Sequence, residues 1–383
     1  DRRFPPEFPL DRSPRPFRTF LTGRANPHIR KATAAVQITP SDEQRMMLDM
    51  MERFLDDSES GQGAPLPNGQ GWAQLGELGV LAFALPEAAG GFDGGRPGIA
   101  AIAEQFGRAL SFTPYAAEGF IAAAGALAQD GQQADALGRA LAGETSLSFV
   151  TGLPGKPVRA ERHGGGLSLI GEGALTLPSD PGGWIILHTK LEGCERLFLV
   201  SAAQFETGHD ARALVDGTAA MIVPLDGLEI AKAEPLDVDA DRIADLRDDF
   251  YLAKAAELVG CMRRAFEDTL RHTSERRQFG QSISGFQVVR HTLGRMFIAV
   301  EQAQSMVLRA ALDCDETLAS ERAGLEAFAF VAGISLPLAQ QAVQLHGGMG
   351  VTREMDVSCA HRRILRLSRS EGAPDRLWPA PSQ

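Results

Sequence analysis

Three short segments in the last third of the chain carry residue types that could bind phosphate or transfer a proton. The first places two arginines, Arg276 and Arg277, directly before Gln278, Phe279 and Gly280. A guanidinium group is planar and can hold a phosphate through two parallel hydrogen bonds. The same residues also fit an ordinary helix C-terminus, where a glycine turns left-handed and basic side chains complement the helix dipole. The segment is therefore a candidate phosphate site or a helix cap.

The second segment has three glycines within four residues, Gly347, Gly348 and Gly350, following Gln344 and His346. Glycines at a helix end allow a ligand to approach the backbone closely and leave amide N–H donors accessible. A helix stop followed by a turn explains the same pattern. No strand precedes these glycines, so neither a Rossmann motif nor a P-loop is indicated.

The third segment is the acidic residue Glu371, followed by Gly372 and, two residues later, Pro374. A glutamate facing a closed cleft can act as a general base, because burial raises the pKa of its carboxyl group. The alternative is a solvent-exposed glutamate in front of a helix-terminating glycine and proline. Considered singly, each of the three segments is a weak indication.

Composition excludes several other functions. The 383 residues contain 38 Lys and Arg against 49 Asp and Glu, a net charge of −11, which argues against general nucleic-acid binding. The eight histidines and four cysteines show no metal-ligand spacing. The separated cysteines indicate a reducing compartment, so we expect a cytoplasmic protein. No uncharged apolar run reaches the roughly 18 residues of a membrane span.

The first part of the chain divides into an extension and a helical region. Residues 1–37 are rich in proline and arginine, and we expect a disordered extension, with a transit peptide as the alternative. From residue 38 the character changes, and Met47, Leu48, Met51 and Leu55 recur at helical spacing. Further helices are expected over 71–78, 99–110 and 116–127. The region 38–143 is therefore predicted to be an N-terminal helical domain.

Residues 144–240 change to short apolar runs separated by glycine and proline clusters, which predicts a small antiparallel sheet or barrel. The expected strands are 146–150, 167–170, 184–189, 197–200, 220–223 and 228–230.

Residues 241–383 return to helices, with apolar stripes of 3.6-residue period. One stripe comprises Leu252, Ala255, Val259, Met262, Phe266 and Leu270, and a second runs from Phe286 to Val307. Two more helices, over 325–345 and 357–367, complete an expected four-helix bundle.

Taken together, the three segments resemble the acyl-CoA dehydrogenase flavoprotein family. The matching positions in the C-terminal half are Arg276, Phe279, Gly280, Phe286, Gln287, Gln344, Gly347, Gly348, Gly350, Glu371 and Gly372. Residues 40–45 and 76–91 are similar to the N-terminal half of that family. The resemblance covers about residues 38–383 and implies the helix–sheet–bundle order that the periodicity also indicates.

The resemblance implies a dimer or tetramer, homomeric or heteromeric, assembled around FAD. It implies that Arg276, Gln278 and Phe279 contact the FAD of a neighbouring subunit and that Gln344, Gly347 and Gly348 contact its ADP part. Phe286 and Gln287 match further FAD-lining positions, and Val150 and Thr151 fall where the family's β domain lines the flavin.

The resemblance also implies a reaction. Glu371 falls on the catalytic base that removes the α-proton of an acyl-CoA, while flavin N5 takes the β-hydride and an electron-transferring flavoprotein accepts the electrons. Tyr251 and Gly372 match positions near the substrate, although the family often has arginine where Tyr251 stands. Such departures are similar to divergent subunits of heteromeric enzymes for steroid side chains or dicarboxylic acids. Two alternatives stay open: a non-catalytic partner subunit and an oxygen-using flavin enzyme.

Overall fold

The structure is a computed structural model, and it describes most of the chain between residues 42 and 370. The described ranges are 42–57, 70–87, 90–111, 132–145, 147–152, 157–176, 183–205, 212–231, 235–236, 238–312 and 322–370. All of them belong to the compact unit formed by residues 38–383. The helix expected over 116–127 lies outside the described residues.

Four helices form the first part of this unit. They are α1 (Asp42–Asp57), α2 (Gln70–Glu77), α3 (Gly95–Arg108) and α4 (Gln132–Leu141). On α1 the predicted stripe is confirmed, because Met47, Met51 and Leu55 are buried against the rest of the core. Helix α3 turns seven of its residues inward, mostly alanine, glycine and isoleucine, and small residues of this kind allow close helix packing.

The middle of the chain forms a nine-stranded sheet. Its strands are β1 (Leu147–Gly152), β2 (Arg159–His163), β3 (Gly166–Ile170), β4 (Glu172–Thr176), β5 (Trp184–Leu191), β6 (Cys194–Ser201), β7 (Arg212–Ala213), β8 (Ala219–Pro224) and β9 (Glu229–Ile230). They follow the order β7-β8-β4-β1-β5-β2-β3-β9, and β6 also pairs with β5.

The expectation of an antiparallel sheet was wrong in one respect, because the sheet is mixed. Strand β5 pairs in parallel with both β1 and β2, while the remaining pairs are antiparallel. Strand β2 was not predicted, since four of its five residues are exposed and only Ala160 is buried. It is therefore too polar to show an apolar run.

The last part is the predicted four-helix bundle. It consists of α5 (Ala240–Glu275), α6 (Gln287–Leu312), α7 (Ala323–His346) and α8 (Asp356–Arg369). On α5 the apolar stripe is buried from Leu252 to Met262, but Leu270 is 42% exposed, contrary to the prediction. Near this end the buried face consists instead of Thr269 and Thr273, whose hydroxyls donate to carbonyl oxygens one turn back.

Helix α3 crosses α5 at a pair of glycines. A Cβ atom on Gly107 would lie 2.1 Å from the carbonyl oxygen of Glu257, and one on Gly260 would lie 2.1 Å from that of Glu104. Any larger residue at either position would push the two helices apart. This crossing fixes the first helices against the bundle.

Helix α7 is the most apolar of the bundle and continues through Pro337. By length and composition alone, the segment Ala323–Val351 could cross a membrane, but 56% of its most apolar window is buried inside the protein. A central helix of a folded bundle has the same composition.

A buried carboxylate on α5 joins three helices. Asp248 accepts a hydrogen bond from Arg96 of α3 at 2.8 Å and two more from the backbone N–H groups of Gly324 and Leu325, both at 2.9 Å, at the start of α7. Arg96 also donates to Asp249 at 2.9 Å. Burial raises the pKa of Asp249 to about 6, despite the neighbouring charge of Arg96.

We expect Asp248→Ala to lower the free energy of unfolding by about 3–5 kcal/mol, because it removes one of the two carboxylates that pair with Arg96 and leaves the N–H groups of Gly324 and Leu325 without their acceptor. The control is Asp245→Ala on the same helix, whose exposed pair with Arg242 contributes less than about 1 kcal/mol. Urea unfolding of both variants measures the difference. Equal losses of unfolding free energy in the two variants would contradict the assignment of Asp248 as the residue that holds α3 and α7 to α5.

Candidate functional site

The first candidate segment forms a hairpin beyond the end of α5. Strands β10 (Arg277–Gln278) and β11 (Gln281–Ser282) pair in an antiparallel way, with Phe279 and Gly280 as the two-residue turn. The φ angles of these two residues are +53° and +82°, as in the type I′ turn that suits a two-residue hairpin. A left-handed aromatic residue is uncommon. The hairpin therefore displays Phe279, which is 90% exposed.

The base of the hairpin is tied back to the bundle. The N–H of Ile283 donates to the carbonyl of Arg276 at 2.9 Å, and a short 3-10 turn (Ile283–Gly285) follows. Phe286 then packs edge-on against Phe279, with ring centroids 6.2 Å apart. Gln287 is exposed and begins α6. These contacts hold the hairpin in one position relative to the bundle.

The second candidate segment lies at the end of α7. Gln344 is exposed in the last helical turn, and Gly347 has φ +65° and starts a 3-10 turn that runs to Val351. The positions where Gly347 and Gly348 would carry side chains are open, with no atom within 4 Å. The backbone here can therefore be approached closely by a ligand.

The two segments meet at one end of the bundle. His272, one turn before Arg276, stacks on His346, one residue before Gly347, with ring centroids 4.3 Å apart and planes 21° from parallel. The Nδ1 atom of His346 lies 2.9 Å from the carbonyl oxygen of Ala342, so it carries the proton and donates. The Nε2 atom of His272 is buried and has no hydrogen-bond partner in the described part of the chain.

The groups at this end fit a diphosphate. Arg276 and Arg277 are both exposed, and among the described residues neither guanidinium has an acidic partner. The amide side chains of Gln278 and Gln344 are exposed as well. Two unpaired cations, two amides and an accessible glycine backbone are donors of the kind that bind phosphate oxygens.

Tyr251 lies in the first half of α5, far from the hairpin. From Tyr251 to Arg276 the chain advances 25 residues, about 37 Å at 1.5 Å per residue. The Tyr251 ring stacks on buried Phe328 at 5.7 Å and is tilted against Phe250 at 5.8 Å. One chain therefore cannot bring Tyr251 and Arg276 to the same small ligand group.

The aromatic contacts around Tyr251 continue across the junction between sheet and bundle. Phe250 packs on Phe149 of β1, which stacks on His188 of β5. The buried ammonium group of Lys254 lies 4.5 Å from the centroid of the Phe250 ring. Sequence reasoning missed this cluster, because single aromatic residues in separate elements give no pattern along the chain.

The β-domain candidates occupy strand β1. The side chain of Val150 is fully buried in the core of the sheet, so it is not available to a ligand. Thr151 pairs with Ala174 of β4. Glu371 and Gly372 lie outside the described residues. The last described residue, Ser370, follows directly on α8, and its N–H donates to the carbonyl of Leu367.

Comparison with known proteins gives two family matches. The profile described as acyl-CoA dehydrogenase, N-terminal domain, matches residues 41–144, and the one described as acyl-CoA dehydrogenase, C-terminal domain, matches residues 252–378. Acyl-CoA dehydrogenase FadE34 of Mycobacterium tuberculosis is 26% identical over 345 residues, which are 85% of this chain and 45% of that protein. In the first curated relatives the matched segments span between 32% and 45% of their length.

Two solved structures share the fold. A variant of the Tcur3481-Tcur3483 steroid ACAD has a TM-score of 0.75 at 23% identity, covering 88% of this chain and 95% of that chain. A glutaryl-CoA dehydrogenase from Mycobacterium smegmatis in complex with FADH2 has a TM-score of 0.73 at 17% identity, covering 90% and 94%. At identities this low the likeness shows the fold alone. That fold is the one the sequence predicted, a mainly α protein with a central β domain.

The histidine stack predicts a loss of stability in acid. Burial, with the charges of His346 and Arg276, lowers the pKa of His272, and Glu275 opposes this only in part. An unfolded histidine takes up its proton near pH 6.5. Below that pH the unfolded chain therefore binds a proton that the folded chain resists, and stability falls.

We expect His272→Phe, which keeps an aromatic ring on His346, to reduce the stability lost between pH 7.5 and pH 5.5. The control is His291→Phe, an exposed histidine on α6. Urea midpoints at both pH values measure the effect. An acid loss as large in His272→Phe as in the parent would refute the assignment.

Proposed function

Because the chain belongs to the acyl-CoA dehydrogenase family, we propose that it is an FAD-dependent enzyme that converts an acyl-CoA to its α,β-unsaturated product. Members of this family are flavoproteins that use FAD, as the FADH2 complex of the glutaryl-CoA dehydrogenase illustrates. The proposed substrate is an acyl-CoA and the proposed electron acceptor is an electron-transferring flavoprotein. Three described cysteines are free thiols, in keeping with the proposed cytoplasmic location.

One observation carries the proposal. Two segments that are far apart in the sequence meet through the His272–His346 stack. Together they present an open glycine backbone and two arginines that have no acidic partner in the described part of the chain. In the proposed site Arg276 and Gln278 hold the FAD diphosphate, and the residues from Gln344 to Gly348 hold its ADP part. Phe279, Phe286 and Gln287 line the same cofactor.

The length of α5 supports an assembly in which chains share sites. Since Arg276 and Tyr251 are about 37 Å apart along one helix, the hairpin serves the FAD of a second chain while Tyr251 and Gly372 border the substrate of its own. An exposed Phe279 on a rigid hairpin is the kind of anchor that enters a partner. We therefore propose a dimer or tetramer.

The chemistry assigned to this chain is proton transfer. Glu371 accepts the α-proton on a carboxylate oxygen, and the electron pair of the broken C–H bond forms the new double bond as the β-hydride departs. FAD, when bound, supplies the acceptor for that hydride and its two electrons. A carboxylate in a closed, dry site is a stronger base than in water. The backbone at Val150 and Thr151 borders the flavin in this proposal.

A second candidate function is that of a non-catalytic partner subunit in a heteromeric enzyme. Tyr251 stands where the family often has an arginine, and its ring is packed on Phe328 and Phe250. The structural neighbour described as the ChsE4-ChsE5 complex from Mycobacterium tuberculosis makes a heteromer a specific alternative. In that case the hairpin completes a site whose base belongs to the other subunit.

The base assignment is tested with Glu371→Gln. We expect the parent protein to be yellow and its flavin absorbance to bleach on adding a suitable acyl-CoA, and the variant to keep its flavin but bleach at least about 100-fold more slowly. Stopped-flow absorbance with a panel of acyl-CoAs measures both. A colourless parent that becomes active only with a second subunit would favour the partner-subunit function, and normal bleaching by the variant would refute the base.

The hairpin is tested with Arg276→Met. Loss of one charge-assisted phosphate contact removes about 1.5–3 kcal/mol, so the dissociation constant for FAD should rise about 10- to 100-fold. Arg290→Met, an exposed arginine on α6, is the matched control. Flavin content after gel filtration and titration of the apoprotein with FAD measure the effect. Equal FAD affinity in both variants would exclude Arg276 from the site.

A further inference from the structure

A buried group of four charged residues joins the sheet to the helix that leads to Glu371. Arg363 and Arg366 stand one turn apart on α8, Glu257 lies on α5, and Asp216 lies in the turn between β7 and β8. The side chains of Asp216, Arg363 and Glu257 are at most 5% exposed and that of Arg366 is 15% exposed. We call these four residues the α8 charge cluster. None of them was singled out by the sequence.

Asp216 uses all of its accepting capacity in this cluster. One carboxylate oxygen accepts from the N–H of Thr218 at 3.1 Å and from its hydroxyl at 2.6 Å. The other accepts from Arg363 at 2.9 Å and from Arg366 at 3.3 Å. Two oxygens offer about four lone-pair sites. Helix α8 can therefore keep this arrangement in only one register against the turn.

Arg363 is fixed from both sides. Its Nε donates to Glu257 at 2.7 Å while its Nη1 donates to Asp216. Burial alone would raise the pKa of Asp216, but the charges of Arg363 and Arg366 outweigh it, so the pKa of this carboxyl lies below its usual range. Asp216 thus stays ionised at any pH near neutral and holds both arginines.

The energetics of buried ion pairs indicate that this cluster sets the position of α8 and adds little to stability. Buried ion pairs add little net stability compared with well-packed apolar side chains, because desolvation of the charges offsets their attraction. Their best-attested contribution is to select one register among several. The register selected here is that of α8 relative to the sheet.

The cluster aligns the last turn of α8 with the sheet, and both elements adjoin the proposed active site. Arg366 lies in the last turn of α8, and Glu371 follows the end of that helix in the sequence. On the other side, β8 follows the Asp216 turn, and its Met221 is in register with Leu175 of β4, which is in register with Val150 of β1. Strand β1 carries the proposed flavin-lining backbone.

We propose that Asp216 is a positioning residue that acts through Arg363 and Arg366 to hold the last turn of α8, the helix end that Glu371 follows in the sequence, in one register against the sheet. The proposal rests on the function assigned to Glu371 above. Proton abstraction depends strongly on the placement of the base, and a displacement of about 1 Å can reduce a rate about 100-fold.

The test is Asp216→Asn in the full chain. The amide would still accept from Thr218 but would turn an NH2 group toward two arginines. We expect backbone amides of residues 366–370 to exchange hydrogen at least about tenfold faster, and flavin reduction by acyl-CoA to slow at least about tenfold. FAD content and the dissociation constant for acyl-CoA should stay within about twofold of the parent.

The matched control is Asp226→Asn. Asp226 is also a turn carboxylate of the sheet and accepts from the N–H of Gly171 at 2.6 Å, but it is exposed and, among the described residues, has no arginine of α8 against it. The Asp226→Asn variant should leave hydrogen exchange at residues 366–370 and the rate of flavin reduction unchanged. Should Asp216→Asn fail to fold, Arg366→Met, which removes one of the two arginines, is expected to give the same changes at smaller size.

The outcomes separate this proposal from the one on which it rests. Unchanged exchange at the end of α8, or flavin reduction within twofold of the parent, would overturn the positioning assignment. So would losses of FAD and acyl-CoA affinity that match the loss in rate, because these indicate a general structural defect. If the parent itself never reduces flavin, the proposed function fails, and hydrogen exchange alone decides whether Asp216 holds α8.

Discussion

The structure depends on carboxylates buried along a single helix. Helix α5 is 36 residues long, and at three levels it carries an acidic residue that is less than 10% exposed and pairs with arginine. Asp248 holds Arg96 of α3, Glu257 holds Arg363 of α8, and Asp268 holds Arg264, which also pairs with Asp356 at the start of α8. A buried charge left without its partner is strongly destabilising, so these pairs specify where α3 and α8 must lie.

The same helix separates two functional ends. Its last turn carries His272 and leads into the hairpin, whereas Tyr251, Lys254 and Glu257 lie in its first half beside the sheet. A stiff helix keeps these ends apart, so in the proposed assembly each chain contributes to one site through its hairpin and to another through the junction of sheet and bundle. Assembly is therefore part of the proposed chemistry, and the length of α5 is the observation that supports it.

Sequence patterns predicted α1, α2, α3, the four bundle helices and most strands, because their apolar residues recur at the periods of a helix or a strand. Helix α4 (Gln132–Leu141) and strands β4 and β7 were not predicted. The predictions failed where polar residues form a strand or a buried helix face. Strand β2 is mostly exposed, the buried end of α5 uses Thr269 and Thr273 instead of Leu270, and the acids of α5 look like surface residues. The Arg276 and Gly347 segments could be found from their residue types. The stack of His272 on His346 that joins them could not, since only folding brings these residues together.

The two proposed functions require different parts of the chain. Retention of the Arg276 hairpin therefore does not show that the chain's own substrate site is active. In both proposals the hairpin with Arg276 and Phe279 serves a neighbouring chain, so it can be retained even where a chain's own site is inactive. Tyr251 packed on Phe328 concerns only the chain's own site. The α8 charge cluster likewise concerns the chain's own site, because it fixes the helix end that Glu371 follows in the sequence. Loss of this cluster would therefore impair a catalytic chain but leave the hairpin's contribution to a neighbouring chain intact.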